Sequence, residues 1–234
     1  MIRRMAAMRI LAFLFAALLA TLALNGAAAP FTVRLGIERI VLDTPPGFSD
    51  TTDLASPRLQ DLAAELTSAS NRILLFALTD ADVRRFTSGD QIELQRYMIA
   101  VTPKGLERER VTDAQFATLV SDSLRDLGTP VQPPDLVQFL ESQPIGKANL
   151  LAELRKEPTA ASILQATRTP PVAGPNFWSS SKPQYLLFTT SLLFVRGRAL
   201  QLMIFGLYNA PGDLEWLTTA TQRWVDELRR LNPR

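Results

Sequence analysis

The sequence predicts an α+β fold: a mostly antiparallel sheet flanked by helices as an α/β/α sandwich, closing with a long hairpin and a C-terminal helix. Two long apolar runs, 185–195 and 199–208, are separated only by Arg196-Gly197-Arg198, which is typical of a hairpin. Amphipathic helical segments alternate with the strand-like runs, and such helices must cover the faces of the sheet. About 205 residues fit one domain by length, so residues 29–234 are assigned to a single globular unit.

The first part of this domain combines short strands with one helix. Residues 31–35 alternate apolar and polar side chains, and residues 37–42 continue in strand-like residues. A Pro-Pro-Gly sequence at 45–47 predicts a turn, and a polar stretch follows. The Ser56-Pro57 pair predicts the start of a helix, whose apolar positions recur three or four residues apart and which ends at Asn71.

The middle of the chain predicts two strands and a capped helix. Residues 73–78 form a buried strand, residues 80–90 a charged connection, and residues 97–101 another strand. A capping box at 112–115, Thr-Asp-Ala-Gln, begins a helix that Gly128 terminates.

The last part contains the predicted hairpin and helix. Residues 131–157 indicate short helical pieces broken by prolines, residues 163–167 a strand, and residues 169–183 a proline-rich loop. A helix begins near Gly212. Its predicted buried face consists of Leu217, Ala220, Trp224, Leu228 and Leu231.

Residues 1–28 are predicted to be a bacterial-type signal peptide. Arg3, Arg4 and Arg9 precede an apolar run at 10–24 and a small-residue end, which is the pattern of a secretory signal. We expect cleavage after Ala28, and therefore a periplasmic or secreted location. The alternative is an uncleaved membrane anchor over residues 10–29, although a spanning helix needs about 20 apolar residues.

Charge gives no indication of a nucleic-acid partner. The chain has 25 basic and 23 acidic side chains, and loss of the three signal arginines leaves a net charge of −1. No basic stripe is visible in the sequence, whereas nucleic-acid binding requires one.

The sequence contains neither histidine nor cysteine. A Ser-His-Asp triad and a cysteine nucleophile are therefore excluded, and zinc, copper and haem sites mostly need these ligands. We accordingly predict no enzyme, no cofactor and no metal site. Asp80-Ala81-Asp82 resembles the start of a calcium loop, but Arg84 and Arg85 stand near the positions where ligands and glycine are required. It is interpreted as a solvated loop.

Two features are candidates for contact with a partner. Phe177 and Trp178 lie in the proline-rich loop, where a large aromatic pair can be an exposed anchor or can fold back over the core. Arg196 and Arg198 flank the hairpin turn, where they either bind an anion or keep the turn solvated.

The order of elements resembles a known family. An exported chain opens with short strands, has the Pro-Gly-aromatic turn Pro46-Gly47-Phe48, and closes with a long hairpin and a helix. In these features residues 31–232 resemble the PsbP/DcrB-like group of small secreted α/β proteins. The resemblance implies a non-enzymatic accessory, assembly or envelope role, and no ligand residues transfer with it.

The sequence therefore predicts an exported, non-catalytic periplasmic binding or envelope-accessory protein, whose partner is an envelope protein or a small ligand. Two alternatives stay open. One is a hydrolase that uses carboxylates only, although pairs such as Asp122 and Asp126 arise from helical spacing alone. The other is the same domain tethered to the inner membrane by a retained N-terminal helix, the one case in which a membrane partner is expected.

Overall fold

The computed structural model describes residues 29–171 and 183–233, and these form nine strands and five α-helices. A seven-stranded sheet has the order β3-β4-β5-β9-β8-β7-β6, and β1 pairs with β2 in a separate two-stranded sheet. Every neighbouring pair is antiparallel. The predicted α+β fold is confirmed.

The elements in chain order are β1 (Phe31–Leu35), β2 (Glu38–Leu42), β3 (Phe48–Asp50), α1 (Pro57–Glu65), β4 (Asn71–Thr79), α2 (Asp80–Thr87), β5 (Arg96–Pro103), α3 (Asp113–Leu124), α4 (Leu136–Ser142), β6 (Asn149–Glu157), β7 (Ala160–Thr169), β8 (Gln184–Val195), β9 (Arg198–Leu207) and α5 (Gly212–Leu231).

The hairpin of β8 and β9 forms the centre of the large sheet. Val195 pairs with Arg198, so only two residues make the turn. Arg196 has φ 48° and Gly197 has φ 70°, the two positive values that a type I′ turn requires. This turn follows the right-handed twist of the strands, and it fixes the register of the ten pairs behind it.

Helices cover both faces of the large sheet. On one face, α5 packs mainly on β8 and β9, α4 packs on β7, and the β1–β2 hairpin contributes to the same core. On the other face, α1 packs on β4 and β5, while α3 packs near the β8–β9 turn. Phe116 of α3 stacks on Phe194 with ring centroids 5.3 Å apart. The two layers of helices produce the predicted sandwich.

Asn232 joins the end of α5 to the small sheet. Its Nδ2 donates to the carbonyl oxygens of Val41 and Leu228, both at 2.8 Å, and its Oδ1 accepts from the Val41 amide at 2.8 Å. The amide side chain therefore forms with the Val41 amide and carbonyl the two hydrogen bonds that a neighbouring strand would form. It also satisfies one of the carbonyls that a helix end leaves without a partner.

Three predicted segments differ from the structure. The polar stretch after Phe48 contains β3, which pairs with β4 through Ser49 and Asp50. The charged connection at 80–90 is mostly helical: it forms α2, which Thr79 caps by accepting from the Asp82 amide at 3.1 Å. The predicted helical pieces at 131–157 reduce to α4, and residues 149–157 form the edge strand β6.

Two smaller expectations were right only in part. The helix that begins after Ser56 ends at Glu65, and Asn71 begins β4 instead of ending that helix. On α5, Leu217, Trp224 and Leu228 are buried, but Ala220 and Leu231 are only partly covered. The capping box of α3 is confirmed, since Thr112 Oγ1 accepts from the Gln115 amide at 3.2 Å and Gln115 Oε1 accepts from the Thr112 amide at 2.8 Å.

Candidate binding groove

The two residue pairs predicted as partner contacts have different outcomes. Phe177 and Trp178 lie outside the described residues, as does the adjacent stretch at 179–182. Arg198 is 3% exposed and its Nη1 donates to the carbonyl oxygen of Glu109 at 2.5 Å. Arg196 donates from Nη1 to the carbonyl oxygen of Arg39 at 3.0 Å. Both hairpin arginines therefore join the turn to neighbouring segments of the chain.

Asp82 and Asp122, named above for calcium binding and catalysis, instead form hydrogen bonds within the fold. Asp82 is buried in α2, where its carboxylate accepts from Thr79 Oγ1 at 3.0 Å and from the Glu93 amide at 2.8 Å. Asp122 accepts a hydrogen bond from Arg125. Within residues 29–171 and 183–233, no three acidic side chains are placed to hold a metal ion.

A groove of about 870 Å³ runs between α5 and the segment from Asp43 to Phe48. Its apolar surface comes from Pro45, Pro46, Phe48, Met98, Trp216, Ala220 and Trp224. Its polar and charged residues are Asp43, Thr44, Glu215, Thr219, Arg223, Asp226, Glu227 and Arg230. The volume lies within the range of ligand-binding clefts.

Local sequence fixes the wall of the groove opposite α5. Gly47 has φ 89°, and the Phe48 amide donates to the carbonyl oxygen of Pro45 at 3.2 Å, which closes the predicted turn. Thr44 Oγ1 donates to the carbonyl oxygen of Phe48 at 3.0 Å. The turn therefore directs Phe48 toward α5, where its ring stacks on Trp216 with centroids 6.2 Å apart.

Two tryptophans of α5 occupy the base of the groove. Trp224 is buried, and its Nε1 donates to the carbonyl oxygen of Asp43 at 2.8 Å. Trp216 is only partly covered, and the guanidinium of Arg96 lies 3.9 Å from its ring centroid. The two tryptophans are eight residues apart and therefore lie on one face of α5. How much of each ring stays exposed depends on the Asp43–Phe48 segment, which packs against that face.

Arg96 is itself held in place by Asp213, at 2.7 Å. Burial acts to raise the pKa of Asp213, but hydrogen bonds from the Asn209 and Ala210 amides and from Arg96 lower it below its usual value. Asp213 therefore stays ionised at neutral pH, and the pair keeps the Trp216 ring in position at one end of the groove.

The other end of the groove carries charges in different environments. Burial raises the pKa of Asp43, and the nearby Glu227 acts in the same direction. Glu227 pairs with Arg230 at 2.5 Å and Asp226 pairs with Arg155 at 2.8 Å. Among the described residues, no ion pair is formed by Asp43, or by Glu215 and Arg223 further along the helix. Asp43 accepts a hydrogen bond from the Thr44 amide at 2.8 Å, and the charge of Arg230 acts to lower its pKa.

A second cavity, of about 800 Å³, lies between β1, α1 and β4. Its walls include the hydroxyl groups of Thr32, Thr44, Ser49, Thr51 and Thr52 together with the carboxyl group of Asp50. Burial raises the pKa of Asp50, although Thr52 and the Phe76 amide donate hydrogen bonds that oppose the shift. Asp43 and Asp50, the two carboxyl groups whose pKa is raised, thus line different cavities.

Asp50 makes stability depend on pH in a defined direction. Because its pKa is higher in the folded state than in the unfolded chain, its contribution is complete at low pH and is lost as the pH rises through the folded value. We expect Asp50→Asn to gain stability relative to the native chain between about pH 4 and pH 7. Urea unfolding of both proteins across this range measures the difference. A constant or shrinking advantage of the variant contradicts the assignment.

The fold and groove define an antiparallel α/β/α sandwich with an open aromatic cleft beside its last helix. No protein-family model matches the chain, and no curated protein sequence matches it. The crystal structure of the Saccharomyces cerevisiae Ran-binding protein Mog1p is 14% identical, covers 86% of this chain and 93% of its own, and has a TM-score of 0.38. A mutant form of Mog1 is 13% identical, covers 86% and 94%, and has the same TM-score. At this level of similarity, nothing about this chain follows from either likeness.

Across 29–171 and 183–233, no helix combines the length and the apolar character needed to cross a bilayer.

Proposed function

We propose that this chain is an exported, non-catalytic accessory protein that binds a polypeptide segment of a cell-envelope partner in the groove beside α5. The single observation that carries the proposal is the groove itself: a partly exposed tryptophan, Trp216, stacked on Phe48 and flanked by Pro45 and Pro46. Rigid aromatic side chains in a desolvated cleft are typical anchors of protein interfaces.

The length of the groove supports a polypeptide over a small molecule. Its lining runs along α5 from Gly212 to Arg230, which is about 27 Å at 1.5 Å per residue. An extended segment of about eight residues covers that distance at 3.3 Å each. Small-molecule sites usually bury 70–90% of the surface of their ligand. A groove of this length would leave most of a compact ligand exposed.

The charges of the groove indicate which segments it favours. Asp43 and Glu215 are acidic, Arg223 is basic, and none of the three forms an ion pair among the described residues. A segment with bulky apolar side chains and a basic side chain near Asp43 satisfies both the apolar base and the desolvated carboxylate. A uniformly acidic segment does not.

The exported location belongs to the same proposal. It rests on the basic, apolar and small-residue order of residues 1–28 and on the resemblance to PsbP/DcrB-like secreted proteins. The two carboxyl groups whose pKa burial raises, Asp43 and Asp50, line different cavities and form no facing pair, which supports a binding role over the carboxylate-dependent hydrolase. Detection of intact Met1 in membrane fractions by mass spectrometry would support the tethered form instead of the cleaved one.

A photo-crosslinking amino acid at Thr219, inside the groove, tests the proposal directly. We expect one envelope protein to be captured from intact cells, with the crosslink mapping to a continuous segment of that partner. The same amino acid at Ala117, on the exposed face of α3, is the matched control and should capture no such partner.

Two groove variants sharpen the result. Trp216→Ala removes the anchor and Ala220→Arg fills the base, and each should reduce the Thr219 crosslink about tenfold or more. Equal capture from positions 219 and 117 contradicts the proposal. So does a copurifying small molecule that occupies the groove and blocks the crosslink.

A further inference from the structure

Three segments that are distant in the sequence meet at one end of the molecule. They are the β1–β2 turn, residues 107–111 and the β8–β9 turn. The Val111 amide donates to the carbonyl oxygen of Gly197 at 2.9 Å, and Arg196 donates to the carbonyl oxygen of Arg39. Gly36, with φ 56°, lies so close that a Cβ there would be 2.7 Å from Nη2 of Arg198.

This end, which we call the arginine tip, concentrates positive charge. Seven arginines belong to these segments or contact them, and they are Arg34, Arg39, Arg72, Arg108, Arg110, Arg196 and Arg198. The same region contains four carboxylates, Glu38, Glu107, Glu109 and Asp113. Counted over the described residues, the tip therefore carries a surplus of three positive charges, although the sequence shows no basic stripe.

Backbone carbonyls, more than carboxylates, hold the arginines of the tip. Arg72 pairs with Glu107 at 2.5 Å and also donates to the carbonyl oxygen of Arg34 at 3.2 Å. The side chains of Arg34, Arg39 and Arg108 are exposed, and none forms an ion pair among the described residues. Because these guanidinium groups are spread over separate segments, they suit a broad anionic surface better than one small anion.

Ile37 stands in the same turn, and its side chain is 88% exposed. It is the most exposed large apolar side chain of the described residues, ahead of Ile145 at 46%. A β-branched apolar residue offers nothing to a solvated turn, where polar residues and glycine are favoured. An apolar side chain beside exposed cationic groups is, however, the combination that binds the interface of an anionic membrane.

We propose that the arginine tip docks on an anionic phospholipid surface, with its exposed guanidinium groups on the lipid phosphates and Ile37 entering the headgroup region. Guanidinium groups bind phosphates through paired hydrogen bonds, and the aliphatic side chain gains the burial that a purely polar anionic partner would not provide. None of the groove residues belongs to the tip, so the two surfaces can be occupied at the same time.

The placement of the tip makes this contact separate from any N-terminal tether. Phe31 pairs with Leu42 at one end of the small sheet, and Leu35 pairs with Glu38 at the other. Ala29 therefore enters the hairpin at the end opposite Ile37, roughly 16 Å away along a five-residue strand. The proposed docking uses surface that remains when residues 1–28 have been removed.

Vesicle co-sedimentation of the chain that begins at Ala29 tests the proposal. We expect binding to vesicles of mixed phosphatidylcholine and phosphatidylglycerol, little binding to phosphatidylcholine alone, and loss of binding as salt is raised. Ile37→Ser should weaken the partition constant about tenfold. The double variant Arg34→Gln/Arg39→Gln should weaken it about 25-fold.

Matched variants elsewhere provide the controls. Ile145→Ser removes the other exposed isoleucine, and Arg125→Gln/Lys156→Gln removes two exposed cations outside the tip. Both should leave the partition constant within about twofold of the starting chain. Urea unfolding of each variant separates a loss of the surface from a loss of the fold.

Three results would overturn the proposal. The first is equal binding to neutral and anionic vesicles. The second is anionic binding that Ile37→Ser leaves unchanged, which would show electrostatic adsorption alone, without entry of Ile37 into the headgroup region. The third is saturation of the tip by inorganic phosphate with no affinity for vesicles, which would assign it to a free anion.

Discussion

Trp224→Ala is expected to lower the free energy of unfolding by about 4 kcal/mol, the largest loss we expect from any single change beside the groove. Trp224 is 2% exposed and packs in the main core between α5 and the sheet. Its removal leaves a cavity and also deprives the carbonyl oxygen of Asp43 of the indole donor. Urea unfolding followed by circular dichroism measures the loss.

Two variants separate the causes of that loss. Trp224→Phe keeps most of the buried apolar area and removes the Nε1 donor. It should lower the free energy of unfolding by more than the hydrogen bond alone contributes, which is about 1 kcal/mol, and by less than Trp224→Ala does. Trp216→Ala, in the same helix but only partly covered, should cost about half as much stability as Trp224→Ala while removing the groove anchor. If Trp224→Ala unfolds with the stability of the native chain, α5 does not depend on this contact.

Asn232→Asp is expected to lower the free energy of unfolding by about 3 kcal/mol at neutral pH. The side chain is 3% exposed, and its Nδ2 donates to two carbonyl oxygens. A carboxylate at this position has no hydrogen to donate, and it places negative charge against the oxygens of Val41 and Leu228. The loss should diminish on acidification, because the protonated carboxyl group regains one donor.

Asn232→Ala is the control for this prediction. It removes the hydrogen bonds without adding charge, so it should cost about 2 kcal/mol and show little dependence on pH. Unfolding measured at about pH 4.5 and pH 7 separates the two variants. If neither variant lowered the free energy of unfolding at either pH, the Asn232 contacts with β2 would not persist in solution.

Local signals were sufficient for much of the fold. The hairpin of β8 and β9 was predictable because two long apolar runs meet at a two-residue turn with glycine. The helix α3 was predictable because its capping box is a contact within four residues, formed by Thr112 and Gln115. In both cases the residues that specify the structure are adjacent in the chain.

The elements that the sequence did not predict depend on distant partners. Residues 149–157 form a strand because β7 offers an edge to which they pair, and no periodic pattern in the segment itself requires it. The three residues of β3 are a strand through pairing with β4. Helix α2 had a local signal, because Thr79 stands three residues before Asp82 and can cap the helix. The many charges of the segment nevertheless favoured a loop interpretation.

Both candidate surfaces were less accessible to sequence reasoning. The groove forms where residues 43–48 face residues 212–230, and no local pattern joins two segments so far apart. The arginine tip is similar: its cations come from five places in the chain, and only Arg196 and Arg198 were predicted as partner contacts. Arg198 proved to be buried, and the exposed cations are its neighbours.

The uneven placement of arginine also gives the molecule a permanent electric dipole. If the chain is cut after Ala28, it has one more acidic than basic side chain, yet the arginine tip carries a surplus of cations and the remainder a surplus of carboxylates. Long-range fields orient such a molecule before any contact is made. In ion-exchange chromatography at neutral pH, it should adhere to a negatively charged resin by one pole, although its overall charge alone would let it pass through.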